Sequence, residues 1–178
     1  MVLYDTIIRK EPLPELMTTF GHELGHYALH HIAWGLLFGA ALLFVGMYAG
    51  GRFVEAVLRR SGARVGIRGA GDLAALPLFL LFALAVSFLA DPLTNAVSRA
   101  MERQADVYSL EVTEGVIPQP GEAAARAFQI EGETDLAVPD PNAAIVWWLY
   151  SHPPVRDRLR FALAWQAAHV TSGSGAGL

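Results

Sequence analysis

A mainly α-helical fold, with two membrane-spanning helices and one short N-terminal strand, is what this sequence predicts, on three observations. Two long runs carry no charge: Ile32 to Gly50, IAWGLLFGAALLFVGMYAG, and Leu73 to Ala90, LAALPLFLLFALAVSFLA. Each is close to the roughly 20 residues that cross a bilayer core. The chain is also 53% apolar with a positive mean hydropathy, more than a globular domain of 178 residues usually carries. Finally, the polar stretches around these runs carry helix starts and stops rather than strand alternation.

Taken in order, VLYDTII at Val2 to Ile8 is rich in β-branched and aromatic residues and reads as the strand. Pro14 suits the first turn of a helix that continues from Glu15 through His31. The two apolar spans, about 32–50 and 73–90, read as membrane helices; a helical hairpin buried inside a large soluble protein is the bland alternative. Between them, GRFVEAVLRRSGARVGIRGAGD reads as a polar loop with five arginines, Arg52, Arg59, Arg60, Arg64 and Arg68. After Asp91-Pro92 a polar helix runs to a stop at Gly115, and a short helix begins near Pro120. TDLAVPDPNAAI reads as loop, and the last helix spans about Val155 to His169. Residues 1–170 thus form a single membrane-embedded domain, and the Gly/Ser-rich tail 171–178 is expected to be disordered.

A formal net charge of -4 and the lack of a basic patch interleaved with aromatics argue against nucleic acid as a partner. Cysteine is absent, so a metal here needs nitrogen and oxygen ligands, and that donor set favours catalytic over structural zinc. No secretory signal is visible, and a chain that starts this close to its metal motif reads as truncated.

That motif is GHELGHYALHH, residues 21–31. In it, His22, Glu23 and His26 form H-E-x-x-H, and on a helix residues i and i+4 lie about 40° apart, so both imidazoles can reach one ion. Gly25 between them permits close approach of another backbone or a substrate. His30 and His31 read as structural or helix-end histidines. For a third ligand the best candidate is Glu102; Glu102 and Asp106 again stand at i and i+4, so one carboxylate can bind the ion while the other orients a ligand histidine. Trp147, Trp148 and Tyr150 read as a packing or membrane-interface cluster.

VLYDTII, GHELGHYALHH, NAVSRAMERQADVY and WWLYSHPPVRDRLR, in this order and separated by two apolar spans, resemble the C-terminal half of the CAAX prenyl endopeptidase family, membrane zinc proteases that cut prenylated proteins. The resemblance covers nearly the whole chain. It implies a zincin-like metalloprotease core with the two transmembrane helices inserted, one Zn2+ per chain held by His22, His26 and Glu102, and Glu23 as general base. It also implies that Asp106 supports a ligand histidine and that His152 contacts the substrate carbonyl and its oxyanion. Asn95, Ser98 and Arg99 match the pattern before the third ligand, with structural or substrate-positioning roles, and Arg158 matches the arginine after the His-Pro-Pro block.

The expected activity is zinc-dependent hydrolysis of peptide bonds in membrane-associated or prenylated proteins. Quality control of damaged membrane proteins is an alternative, and a non-catalytic truncated fragment is another. Partners would be a peptide or protein substrate, docked as an added strand along Val2–Ile8, the lipid bilayer, and upstream spans missing from this sequence. The resemblance implies an integral membrane protein with its site on the cytoplasmic side, whereas the positive-inside rule puts the Arg52–Arg68 stretch there instead, with the flanking segments opposite.

Overall fold

A computed structural model describes residues 9–173, and these are almost wholly helical. The helices are α1 (Leu13–Ala28), α2 (His31–Val65), α3 (Leu76–Thr113), α4 (Pro120–Thr134), α5 (Ala143–Leu149) and α6 (Val155–Gly173), with a 3₁₀ turn at Leu73–Ala75. No strand occurs among the described residues, and the one expected at Val2–Ile8 lies outside them. The chain divides into two compact units, one formed by residues 32–93 and the other by the segments on either side.

Two candidate membrane spans are His31–Gly62, within α2, and Leu73–Thr113, the 3₁₀ turn with the whole of α3, whose apolar first half belongs to the 32–93 unit. Both are long and apolar enough to cross a bilayer. Their large side chains face outward: Phe44 is 76% exposed and Leu84 70%. A soluble core helix would bury that surface, so the exposure argues against a hairpin buried within this chain. Phe53 packs on Phe82, and Gly50 gives the Phe82 ring room, since a Cβ there would meet it at 3.1 Å. The Arg-rich stretch is a correction to the sequence reading. It is helical to Val65 rather than a loop, because arginine is itself a good helix former and no proline interrupts the stretch. The turn that follows is closed by Asp72, whose side chain accepts from the Ala74 amide at 3.1 Å. Pro77 then falls in the first turn of α3, and the helix passes through Pro92 unbroken.

The other unit packs α4 against both α1 and α6. Its core is small and alanine-rich: Leu110 of α3, Ala124, Ala125 and Phe128 of α4 and Ala162 of α6, with Leu159, Phe161 and Trp165 against them. Gly121 lets α4 and α6 touch, because a Cβ there would sit 2.6 Å from Cβ of Gln166. The face of α1 turned inward is polar instead. Thr19 donates to Glu11 at 2.9 Å, Arg126 of α4 pairs with Glu15 at 2.5 Å, and Ser109 of α3 donates to the Thr18 carbonyl at 2.5 Å.

Three boundaries in this unit differ from the sequence reading. Helix α1 stops at Ala28 instead of His31, because His30 adopts a left-handed conformation with φ 57° and turns the chain. The segment read as loop before Ile145 contains the start of α5, capped by Asn142, whose side chain accepts from the Ala144 amide at 2.9 Å. Helix α6 runs on to Gly173, because no breaker interrupts it earlier; the rest of the expected tail lies outside the described residues.

Candidate metal centre

The site begins with glycine. On α1, Gly21 and Gly25 stand one turn apart and face α3; a Cβ at Gly25 would lie 3.1 Å from Ala105 Cα, and one at Gly21 3.2 Å from Ser109 Cα. Two helices can come this close only where one has no side chain. Because Gly25 lies directly before His26 and Gly21 directly before His22, the same contact draws both imidazoles onto the Glu102 turn of α3. The backbone approach expected at Gly25 is therefore an approach by α3.

Three of the predicted ligands converge. His22 Nε2 lies 3.1 Å from His26 Nε2 and 3.3 Å from one oxygen of Glu102, and His26 Nε2 lies 3.5 Å from the other. Two atoms each about 2.0–2.1 Å from one tetrahedral ion stand about 3.4 Å apart, so these separations fit a single zinc-sized ion. The donor set, two imidazoles and one carboxylate, also suits zinc and leaves a position open. Glu23, half-buried, lines the same cavity of about 370 Å3, as does His152. His152 Nε2 is 3.5 Å from Glu102, and its side chain is 62% exposed.

Asp106 does not join the cluster of ligand atoms. One of its oxygens accepts from His22 Nδ1 at 2.9 Å, which leaves Nε2 of His22 to face the ion. Arg158 of α6 grips the same carboxylate through Nε at 3.0 Å and a terminal nitrogen at 2.6 Å. It also reaches Glu131 at 3.4 Å, and its guanidinium carbon lies 3.9 Å over the Phe128 ring. Glu131 and Phe128 carry no sign of this role in the sequence, since both pattern as ordinary residues of an amphipathic helix. Only the fold of α4 under α6 brings them to the cavity.

Asn95 and Arg99 hold the segment that carries His152. Asn95 Nδ2 donates to the Trp148 carbonyl, and Arg99 donates to the carbonyls of Val146 and Tyr150. Ser98 is half-buried on the same helix. His152 Nδ1 lies 2.9 Å from the Ser151 hydroxyl. Asn95 and Arg99 thus anchor the wall of the cavity without lining it.

Charge in the site is unevenly shared. Burial pushes the His22 imidazole toward neutrality, but its hydrogen bonds to Asp106 and Glu102 outweigh this and raise its pKa to about 9 when no metal is bound. His26 goes the other way, lowered by burial and by the neighbouring His22. Burial raises the Glu131 carboxyl despite Arg158 beside it. A metal bound here would have to displace a proton from His22, whereas the shift at His26 favours its neutral form.

Such a helix-on-helix cage of two imidazoles and a carboxylate, with a glutamate between the histidines in sequence, has the donor pattern of an H-E-x-x-H metal centre. The chain belongs to peptidase family M48, which it matches over residues 1–166. It is 35% identical over 162 residues to "Uncharacterized metalloprotease YhfN" of Bacillus subtilis (strain 168), covering 91% of this chain and 37% of that protein. It is 27% identical over 164 residues to "Probable CAAX prenyl protease 1" of Schizosaccharomyces pombe, covering 89% of this chain and 32% of the relative. Among solved structures, that of S. mikatae Ste24p is similar in fold, with a TM-score of 0.69 at 19% identity over 89% of this chain and 37% of the other. The chain thus spans about a third of the length of the proteins it matches.

Proposed function

We propose that this chain carries the catalytic centre of an integral-membrane zinc endopeptidase. The reading treats it as one metalloprotease domain with a membrane hairpin inserted. The observation that carries it is the meeting of His22 Nε2, His26 Nε2 and a Glu102 oxygen within 4.8 Å of one another, on a cavity that Glu23 and His152 also line. Zinc, when bound there, supplies Lewis acidity that makes water a competent nucleophile near neutral pH and polarises the scissile carbonyl. Glu23 accepts the proton of the attacking water and returns it to the leaving amine. His152, held over the cavity mouth by the Asn95 and Arg99 anchors, donates to the developing oxyanion, a contact worth about 3 kcal/mol. Asp106 and Arg158 keep His22 in the tautomer that leaves Nε2 available.

The substrates in this reading are membrane-associated proteins, with prenylated CAAX-type proteins as the first class to test. Similarity to CAAX prenyl proteases of yeast and plants at 27–29% identity supports that class. The bacterial relative at 35% identity is named only as a metalloprotease, without a CAAX substrate, so quality control of damaged membrane proteins stays the second reading. Two exposed apolar helices support bilayer insertion, with the metal centre facing the cytoplasm as the resemblance implies.

Zinc content and hydrolysis of a quenched peptide, measured in detergent for the chain and for Glu23→Gln, test the centre. Stoichiometric zinc in both, with turnover lost only in the variant, is expected. Zinc in neither would mean that the chain alone is a non-catalytic fragment. A farnesylated peptide cleaved no faster than its unprenylated twin would remove the CAAX class.

A further inference from the structure

His31, expected from the sequence to be merely structural, is tied to the centre from behind. Its Nδ1 lies 3.1 Å from His26 Nδ1, its Nε2 lies 3.1 Å from the Gln104 side-chain oxygen, and it is only 5% exposed. In an unbroken helix residues five apart point about 140° away from each other and do not meet. They meet here because His30 turns the chain in a left-handed conformation and α2 starts again at His31. The two rings stand edge to face, with centroids 5.0 Å apart.

We propose that His31 is the positioning residue for the second metal ligand: its Nδ1 accepts the Nδ1 proton of His26, and its own Nε2 proton goes to Gln104, so His26 presents a bare Nε2 to the ion. This rests on the metal-centre reading above and deepens it. The proton count allows one arrangement. If His26 Nε2 faces a metal, its single proton sits on Nδ1, the nearest acceptor is His31 Nδ1, and the proton of His31 is then on Nε2, where only an oxygen of Gln104 can accept it. Reversing the Gln104 amide would turn each proton around and put one on His26 Nε2, closing the site. A three-member neutral relay therefore does for His26 what Asp106 does for His22.

Zinc affinity by competition with a chromophoric chelator, and the visible spectrum of the cobalt-substituted chain, test this without reference to turnover. His31→Phe keeps the ring but removes the acceptor and is expected to weaken zinc binding about 10–100-fold and to shift the cobalt bands. His31→Asn places an oxygen near the site of Nδ1 and should recover affinity to within about threefold. Gln104→Leu should weaken binding by a smaller factor, whereas Gln104→Glu, which can only accept, should not. Zinc bound as tightly by His31→Phe as by the unaltered chain would overturn the assignment, as would His31→Asn failing as badly as His31→Phe. Should His31→Phe not fold, the Gln104 pair decides, since Leu and Glu binding alike would equally refute the relay. An unaltered chain that holds no metal would instead defeat the functional reading itself.

Discussion

Replacing Arg158 by methionine would keep most of its apolar stem and remove its charge. Its side chain is 11% exposed and the Asp106 carboxylate it pairs with is fully buried, so solvent cannot take over the lost interaction. Asp106 would lose two of its three hydrogen bonds, those at 3.0 and 2.6 Å, and keep only the one from His22. Breaking a buried pair by removing one partner costs about 3–5 kcal/mol when the remaining charge is left alone; here the lower end applies, about 3 kcal/mol, because His22, protonated in the metal-free chain, still pairs with Asp106. Loss of the stack on Phe128 adds about 0.5–2 kcal/mol. Glu131 adds little, since burial already raises its carboxyl and it can take up a proton. The expected total, about 3.5–5 kcal/mol, is a large part of the stability of an ordinary domain. The assay is denaturant unfolding of the metal-free chain in detergent, followed by tryptophan fluorescence, with zinc affinity measured in parallel. A loss below about 1 kcal/mol would show that Asp106 is solvated or otherwise paired, and the account of its hold on His22 would fail.

Gly25→Val is expected to cost about 1–3 kcal/mol and to weaken zinc binding, because its Cβ would press on the Ala105 backbone; Gly39→Ala, with open space around it, should cost nothing, and equal stability of the two would refute the close-approach argument. Zinc affinity should rise about tenfold per pH unit toward pH 9 and level off above it, because His22 must give up a proton held with a pKa of about 9. For the metal-free chain the sign is opposite. The raised His22 pKa means its contribution to stability is complete below pH 6.5 and is lost as the pH climbs through about 9, which melting curves across that range would show. Arg99→Ala should leave zinc affinity nearly unchanged and lower kcat, since it releases the chain carrying His152 rather than a ligand.

The parts of the site that repeat every four residues were legible in the sequence. His22 and His26, and Glu102 and Asp106, each fall on one helical face, and periodicity alone pairs them. What the sequence hid depends on tertiary placement or on an unusual backbone. Arg158 meets Asp106 across 52 residues, and nothing in either local pattern announces it. His31 reaches His26 because the chain turns left-handed at position 30, and a histidine there, unlike a glycine or asparagine, does not announce such a turn. The arginines of the 52–68 stretch looked like loop because charge was read as exposure, and an exposed helix carries charge equally well. The two long apolar helices are legible from length and hydropathy, which need no tertiary information.

The anchors of the His152 segment have a consequence for how this site can change. Asn95 and Arg99 both bind carbonyl oxygens, a group that every amino acid supplies. The hold is therefore indifferent to which side chains occupy positions 146 and 150. Mutation can repaint that stretch of the cavity rim, Tyr150 included, and so, in the proposed peptidase, alter which peptides are admitted, while the imidazole two residues further on keeps its station. Selectivity and chemistry in such a wall evolve separately, because one is written in side chains and the other is fastened through the main chain.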